Sequence, residues 1–313
     1  MFQKIFLSIL AFGILSAVPA ATAAAEPTPT RPAYLALGDS LAVGVGASTP
    51  EQGYVVRFYN QLRQNSQWSN RNLDGLTVAV SGETSSSMLA PGGQLDRAKA
   101  ELVRNHDADP NNDIEIISVS LGGNDFLKLR ATGQPCALSA ESPECQAAFA
   151  AMAATFGGNF SLIMGTLRAA AGPNVLIVTM TQYNPFSGTG TAFDSPAGDD
   201  AFAKFNGIIK TIAADPKVNA QVADIFPLFQ GKAPQLTHIL QQDVHPNDAG
   251  YGVITQAFAG ALQAGQPAQL PSAGGRPASD NDPDFPAEAW PIIALTVVTA
   301  LGLIFLVTRR TAR

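Results

Sequence analysis

The stretch Tyr34-Leu35-Ala36-Leu37-Gly38-Asp39-Ser40-Leu41 decides the fold. Its first four residues are apolar and are followed by glycine, a pattern that predicts a short buried strand ending in a turn. Ser40 then lies just beyond the strand, with its hydroxyl exposed and its own N–H near the start of the next helix, which suits a nucleophile. Because Gly-Asp-Ser is also an ordinary helix N-cap, this stretch alone leaves both interpretations open.

Strand-like and helix-like segments alternate along the rest of the chain. The predicted strands are Ala33–Leu37, Leu76–Val80, Ile114–Ser120, Val175–Met180 and Val218–Phe226. The predicted helices are Tyr54–Gln64, Gln94–Asn105, Gln146–Ala170, Asp199–Ala214 and Pro246–Leu262. Such alternation indicates right-handed crossovers and a parallel sheet. We therefore expect residues 31–263 to form one α/β domain, a three-layer α/β/α sandwich with a five-stranded parallel sheet of the flavodoxin-like kind.

Two further polar segments follow predicted strands. The second strand ends in Ser81-Gly82-Glu83-Thr84, where glycine leaves the backbone N–H unshielded, as an oxyanion donor requires. The third strand leads into Gly122-Gly123-Asn124-Asp125, where Asn124 can point an amide N–H at a developing oxyanion. A simple strand-to-helix turn at Gly82 and an Asx turn at Asn124 are the alternatives.

The segment Asp243-Val244-His245-Pro246-Asn247 precedes the last predicted helix. His245 has an acidic neighbour and is followed by proline, a setting that favours a general base. The chain has 3 histidines, and we expect the other two, His106 and His238, to have no catalytic role.

Together these four segments resemble the SGNH hydrolase superfamily of GDSL-type esterases and lipases, over residues 33–262. The resemblance implies that Ser40 is the nucleophile and His245 its base. It also implies an oxyanion hole made by the Ser40 N–H, the Gly82 N–H and the Asn124 side chain. Hydrolysis would then proceed through a covalent acyl-enzyme, with no metal or organic cofactor.

The residue expected to hold the imidazole of His245 in position differs from the family pattern. The family usually places an aspartate three residues before the histidine, and here that position is Gln242, whereas Asp243 lies two before. Residues two apart in an extended segment point to the same side, so Asp243 can reach the imidazole if the segment is strand-like. We expect Asp243 rather than Gln242 in this role, because a carboxylate makes the stronger bond.

The resemblance favours a carboxylic ester hydrolase of the esterase, lipase or lysophospholipase kind, acting on a small-molecule, lipid or glycan ester. An acyltransferase or a carbohydrate deacetylase would use the same serine and histidine, because substrate choice lies in the loops. A surface binding module that keeps the fold without turnover is an alternative of a different class. The presence of Ser40, Asn124 and His245 together argues against it.

Composition excludes other classes of protein. Apolar residues make up 46% of the 313-residue chain and charged residues 14%, which excludes intrinsic disorder and fibrous repeats. Lys and Arg number 19 against 25 Asp and Glu, so the net charge is −6 and no broad basic patch is visible. We therefore expect no nucleic-acid partner.

The two ends of the chain indicate export and a membrane anchor. Residues 1–25 have the basic start, apolar run and small-residue end of a signal peptide. Residues 290–307 are uncharged and would span about 27 Å as a helix, enough for the hydrocarbon core of a bilayer. The basic tail 308–313 would stay cytoplasmic, so we expect a single-pass protein with its catalytic domain outside the cell. The Pro-, Gly- and Ala-rich residues 264–288 would form a stalk, in which Leu270–Gly274 weakly resembles a cell-wall sorting signal.

Three other features leave alternatives open. Cys136 and Cys145 are expected to close a small disulfide loop in an oxidising compartment; free thiols or a metal pair are the alternative, without a nearby histidine to complete a ligand set. Asp107–Asp113 alternates oxygen ligands like a calcium loop, although a solvated acidic turn is favoured because the glycine and the closing glutamate of such loops are missing. The loop Tyr183–Pro196 either lines an acyl pocket or is purely structural.

Overall fold

A computed structural model describes residues 31–64, 73–107 and 113–265, and its centre is a sheet of parallel strands. The strands are β1 (Arg31–Gly38), β2 (Leu73–Thr77), β3 (Ile116–Ser120), β4 (Leu176–Met180) and β5 (Gln221–Ala223). They lie in the order β2-β1-β3-β4-β5, and each neighbouring pair is parallel. This is the flavodoxin-like order, in which the switch point between β1 and β3 opens a crevice at the carboxyl edge of the sheet. The predicted fold class is confirmed.

Helices cover both faces of the sheet. In chain order they are α1 (Ser40–Val43), α2 (Tyr54–Gln64), α3 (Ser85–Met88), α4 (Gln94–Asn105), α5 (Gly123–Leu127), α6 (Pro143–Ala171), α7 (Pro196–Ala213), α8 (Phe226–Phe229), α9 (Ala233–Leu236) and α10 (Asp248–Gly265). On one face α3, α4, α6 and α7 bury their apolar sides. On the other face α1, α2 and α10 do so, which gives the three layers.

Strand β1 shows why the sheet is buried on both sides. Leu35 and Leu37 pack into the cluster under α4 and α6, whereas Tyr34 and Ala36 pack against α2 and α10. Successive side chains of a strand point to opposite faces, so a continuous apolar run serves two cores at once. The strand therefore holds the turn at Gly38 rigidly in the middle of the molecule.

The bounds of all five strands differ from the prediction, most of all those of β2 and β5. Strand β2 ends at Thr77 and not at Val80, although the N–H groups of Val78 and Val80 still donate to the carbonyls of Ala36 and Gly38, both at 3.0 Å. The chain thus continues beside β1 after the regular strand has ended. Strand β5 is shorter than predicted, because Phe226 already begins α8.

The predicted helices are all present, and α2 and α4 have the predicted bounds. Helices α6 and α7 begin three residues earlier than predicted, at Pro143 and Pro196. In both, the preceding serine caps the helix and accepts a backbone N–H, and proline is favoured in the first turn. Helix α10 begins at Asp248, because Pro246 pairs with Thr237 in an isolated antiparallel bridge.

A small third cluster lies beside the main cores. It contains Phe126, Phe193 and Phe202 together with Cys136 and Cys145. The two cysteine sulfur atoms are 1.96 Å apart, so the structure places the expected pair at bonding distance. The cluster forms one side of the crevice at the carboxyl edge.

Several predictions concern residues outside the described ranges. These are the signal peptide, the transmembrane segment 290–307, the basic tail, nearly all of the stalk and most of Asp107–Asp113. Among the described residues one helix, α6, is long and apolar enough to cross a membrane by length and composition. Its residues Phe156, Phe160 and Ile163 are buried in the domain core, as in a core helix of a folded domain.

Candidate active site

Ser40 is held by a strand, a tight turn and a short helix. Gly38 ends β1 with a φ of 147°, and a Cβ atom there would lie 2.5 Å from the Ser120 carbonyl oxygen, so only glycine fits this turn. Asp39 caps α1 by accepting the Leu41 N–H at 3.0 Å. Ser40 is therefore the first residue of α1. An N-cap at Asp39 and a nucleophile at Ser40 are thus compatible with each other.

Three side chains form a chain of hydrogen bonds at the carboxyl edge of the sheet. The Ser40 Oγ atom lies 2.8 Å from His245 Nε2, across 205 residues of sequence. The other ring nitrogen, Nδ1, lies 2.5 Å from Asp243 Oδ1. If Nδ1 carries the ring proton and donates a hydrogen bond to the carboxylate, Nε2 is free to accept the serine hydroxyl proton. This arrangement can activate a serine as a nucleophile.

The structure brings Asp243, and not Gln242, to the imidazole. Asp243 Oδ1 also accepts the backbone N–H of His245 at 3.0 Å. Partial burial acts to raise the pKa of Asp243, but the hydrogen bonds from His245, together with the electrostatic effect of the His245 and His238 side chains, outweigh it and hold that pKa below its usual value. Gln242 has a left-handed backbone with φ of 62° and ends the preceding turn. Among the hydrogen bonds of the described residues none joins Gln242 to His245.

The segment that carries His245 is anchored by contacts that were not predicted from the sequence. The Tyr183 hydroxyl donates to the Val244 carbonyl at 2.7 Å. The His238 N–H donates to the His245 carbonyl at 2.9 Å, and His238 Nε2 lies 2.8 Å from the Gly46 carbonyl oxygen. The contact between Tyr183 and Val244 and the contact between His238 and Gly46 join distant parts of the chain, so they leave no local signal in the sequence. His238 thus supports the segment through its backbone and ring, outside the Ser40–His245–Asp243 chain.

The predicted oxyanion donors follow three neighbouring strands: Ser40 begins α1, Gly82 lies in the turn after β2 and Asn124 lies in α5. The Asn124 side chain donates one amide N–H to the Glu83 carbonyl at 3.0 Å, which leaves its second N–H for a ligand. Gly82 has a φ of 81° in a turn closed by the Glu83 N–H and the Val80 carbonyl at 3.1 Å. Ser40 and Asn124 line the same cavity, whereas Gly82 is exposed at the turn and is not among the described residues of its lining.

The buried side-chain amide of Gln94 connects the segment after β2 to the end of β1. Gln94 is fully buried; its Oε1 accepts the Gly38 N–H at 2.5 Å, and its Nε2 donates to the Gly38 carbonyl at 2.9 Å and to Glu83 Oε2 at 2.7 Å. Asp125 similarly accepts the Ser85 hydroxyl at 2.6 Å and joins α5 to α3. Neither positioning role was predicted from the sequence, although a glutamine on the apolar side of a predicted helix is a signal for Gln94.

The carboxyl group of Asp39, next to Ser40, has a raised pKa. It is 2% exposed and accepts hydrogen bonds from the Leu41 N–H and the Ser120 hydroxyl, each at 3.0 Å. Burial raises its pKa to about 6, although these hydrogen bonds act in the opposite direction. Ionisation of Asp39 therefore lowers the stability of the folded protein.

A cavity of about 90 Å³ opens beside Ser40. Its polar lining comprises Asp39, Ser40, Gly123, Asn124, Gln182 and His245, and its apolar lining comprises Leu41, Phe126, Leu127, Tyr183, Pro185, Phe202 and Val244. Part of the loop Tyr183–Pro196 thus lines the cavity, while its Phe193 packs in the third cluster. Among the described residues no group of three or more His, Cys, Asp or Glu side chains is placed to hold a metal ion.

A parallel α/β sandwich with serine, histidine and carboxylate in hydrogen-bond contact at its carboxyl edge has the architecture of a serine-dependent hydrolase. The model of the GDSL-like Lipase/Acylhydrolase family matches residues 36–253, well over half of the chain. The chain therefore belongs to this family, within the SGNH hydrolase superfamily, and is a carboxylic ester hydrolase.

Individual relatives agree with the family. The chain is 27% identical over 232 residues to the spore germination lipase LipC of Bacillus licheniformis, covering 71% of this chain and 92% of that protein. It is 25% identical over 227 residues to the uncharacterized protein YpmR of Bacillus subtilis, covering 71% and 77%. The crystal structure of the lipase Lip_vut3 from a goat rumen metagenome matches with a TM-score of 0.56 and 24% identity, covering 73% of this chain and 96% of that one. This last likeness supports the fold.

Proposed function

We propose that this ester hydrolase works through Ser40 as nucleophile, His245 as general base and Asp243 as the group that orients the imidazole. The observation that carries the proposal is the pair of contacts on one imidazole ring, 2.8 Å from Nε2 to Ser40 Oγ and 2.5 Å from Nδ1 to Asp243 Oδ1, at the wall of the cavity.

Acylation begins when an ester carbonyl lies above Ser40 Oγ. His245 Nε2 takes the hydroxyl proton as Oγ attacks the carbonyl carbon, and the carbonyl oxygen becomes an oxyanion. The Ser40 N–H at the start of α1 and the free amide N–H of Asn124 donate to it, with the Gly82 N–H as the third proposed donor. The imidazolium then gives its proton to the alcohol oxygen, the ester bond breaks and the alcohol leaves.

Deacylation repeats these steps with water. His245 takes a proton from water, the resulting hydroxide attacks the acyl carbon, and the same donors stabilise the second oxyanion. The proton returns to Ser40 Oγ as the acid leaves, so the enzyme is regenerated. Throughout, the Asp243 carboxylate holds Nδ1–H and stabilises the imidazolium; we assign it no proton transfer.

A labelling experiment tests the nucleophile. The purified protein is treated with a fluorophosphonate, and the modified peptide is located by mass spectrometry. We expect the adduct on Ser40, and we expect Ser40→Ala to lose several powers of ten in kcat/KM on a chromogenic ester. Ser187, another buried serine, is the matched control, because Ser187→Ala should keep both labelling and turnover. An adduct elsewhere, or full activity of Ser40→Ala, would contradict the proposal.

We also propose that the enzyme is exported and tethered to the outer face of a membrane, with the apolar segment 290–307 as its anchor. The signal-like residues 1–25 and the three arginines that follow the apolar segment support this location. Full-length protein should sediment with membranes and be cleaved by external protease, and truncation after Glu288 should release it into the medium. A truncated protein that stays bound to membranes would refute the anchor.

A further inference from the structure

We propose that Gln182 forms a subsite of the cavity that recognises a hydroxyl group of the substrate, close to the ester bond that Ser40 attacks. The side-chain oxygen of Gln182 accepts the hydrogen of that hydroxyl group. The inference rests on the proposed function, because it needs an ester bound at Ser40. It adds a class of substrate, the hydroxy esters, and the residue that selects them.

The backbone of Gln182 is fixed by a buried amide on a helix. Its N–H donates to Asn206 Oδ1 at 2.7 Å, and its carbonyl accepts a hydrogen bond from Asn206 Nδ2 at 2.8 Å. Gln182 and Asn206 are 3% and 2% exposed, so water does not compete for these bonds. The side chain of Gln182 therefore starts from a fixed point just after β4, and it lines the same cavity as Ser40.

The side-chain amide of Gln182 is held in one orientation. Its Nε2 donates to the Leu121 carbonyl at 3.2 Å. The reversed amide would place Oε1 against that carbonyl, and two acceptors repel each other. Among the hydrogen bonds of the described residues none uses Gln182 Oε1. Because a buried acceptor without a partner lowers stability, a ligand that supplies a hydrogen to this oxygen is favoured.

Gly123 leaves this oxygen uncovered. It is the first residue of α5 and lines the cavity next to Asn124. A Cβ atom at Gly123 would lie 3.0 Å from Gln182 Oε1 and 3.7 Å from Asp39 Oδ2. The two oxygen atoms thus face the same glycine, and a side chain there would lie against the Gln182 oxygen.

The groups around this point select the chemistry of the ligand. The hydrogen bonds that Asp39 accepts from Leu41 and Ser120 both go to Oδ1, so Oδ2 is a second acceptor. The described lining of the cavity contains no lysine or arginine. A carboxylate or phosphate group would therefore meet acceptors without a cation, which disfavours it. A methyl group would leave Gln182 Oε1 unpaired, whereas a hydroxyl group donates to it.

Two matched pairs of esters test the subsite, because within each pair a hydroxyl group replaces a methyl group at one position. Ethyl hydroxyacetate and ethyl propanoate differ in the acid part, and 2-hydroxyethyl acetate and propyl acetate differ in the alcohol part. Titration of the released acid gives kcat/KM for each ester. The quantity compared between enzymes is the hydroxy-to-methyl ratio of kcat/KM within a pair, so any difference in the chemical reactivity of the two esters cancels.

Two variants remove the proposed contact in different ways. Gln182→Met keeps the length of the side chain but has no side-chain oxygen, and Gly123→Ala covers that oxygen without removing it. Alanine is well suited to the helical backbone at position 123. Tyr183→Phe is the matched control, because Tyr183 lines the same cavity but its hydroxyl already donates to the Val244 carbonyl. Thermal unfolding shows which variants are folded.

We expect the hydroxy-to-methyl ratio of one pair to fall by about tenfold or more in Gln182→Met and in Gly123→Ala. The pair that responds shows whether the hydroxyl group belongs to the acid or to the alcohol part. Tyr183→Phe should lower kcat/KM for both esters of a pair equally, as a residue that only positions the site does.

An unchanged ratio in both pairs in folded Gln182→Met would overturn the subsite and leave the Ser40 mechanism intact. If that variant does not fold, Gly123→Ala decides in the same way. Labelling of Ser40 by a fluorophosphonate without cleavage of any of these esters would also overturn the subsite. Absence of both labelling and cleavage would instead refute the proposed function, and the subsite with it.

Discussion

Replacing Asp39 by asparagine should make the protein more stable at neutral pH. The carboxyl group is buried beside Ser40, and burial raises its pKa to about 6. At pH 7 and above the folded protein must therefore ionise a group that its surroundings disfavour as a charge. Asparagine cannot ionise, and its Oδ1 can still accept the Leu41 N–H and the Ser120 hydroxyl. It is also as good an N-cap as aspartate.

The expected gain follows from the difference between the folded and unfolded pKa values. Each unit of pKa corresponds to about 1.4 kcal/mol, so a rise from 3.8 to about 6 corresponds to about 3 kcal/mol. Because the folded pKa is the higher one, the penalty is absent below pH 3.8, grows as the pH rises towards 6 and is complete above it. Asp39→Asn should thus leave stability nearly unchanged near pH 3.5 and increase it by up to about 3 kcal/mol at pH 7.5.

Urea unfolding of both proteins at several pH values between 3.5 and 7.5 measures this difference. Asp200→Asn is the control, because the Asp200 side chain is 58% exposed and its replacement should change stability by less than about 0.5 kcal/mol at either pH. A stability difference for Asp39→Asn that does not depend on pH would refute the reasoning. So would a variant that is less stable than the unchanged protein at pH 7.5.

Three further predictions concern turnover. Asp243→Asn should lower kcat/KM by about 10²–10⁴, because the imidazolium loses its carboxylate, whereas Gln242→Ala should change it little; near-normal activity of Asp243→Asn would leave a Ser-His dyad. Asn124→Ala should lower kcat by about 10²–10³ with little change in KM in steady-state kinetics, and a raised KM alone would make Asn124 a substrate-binding group. Tyr183→Phe should lower kcat by about tenfold, with melting temperature and KM little changed, because only the hydrogen bond from the Tyr183 hydroxyl to the Val244 carbonyl is lost. An unchanged kcat would show that this hydrogen bond does not position the imidazole.

The sequence predicted the order of strands and helices because that order depends on local patterns. A run such as Tyr34–Leu37 is apolar at every position, as a strand buried on both faces requires. Element bounds were less predictable, because they depend on distant partners. Val78 and Val80 bond to β1 without belonging to a regular strand, and Pro246 is taken out of α10 by its bridge to Thr237.

The residues of the candidate site likewise differ in how far the sequence could predict them. Ser40, Asn124 and His245 could be picked out because each follows or precedes a regular element within a short motif, and the resemblance to the family combined them. Tyr183 could not, because it acts on the backbone of a segment far away in sequence. Gln94 is marked only as a polar residue on the apolar side of a helix, which does not identify its distant partner Gly38. A hydrogen bond from a side chain to a distant carbonyl places no demand on its sequence neighbours, so no local pattern marks it.

The distance between Ser40 and His245 is therefore set largely by residues that take no part in the chemistry. Ser40 is fixed by the centre of the sheet, but His245 lies on an irregular segment. That segment packs on the loop after α1, where Gly46 has a φ of 90° and where a Cβ atom would lie 2.6 Å from the Pro246 carbonyl oxygen and 2.9 Å from His245 Cβ. Any side chain at this position would therefore require the loop or the segment that carries His245 to shift. A displacement of about 1 Å can lower the rate 10²-fold. The position of His245 relative to Ser40 therefore depends on the absence of a side chain at Gly46 as well as on the side chains of His238 and Tyr183.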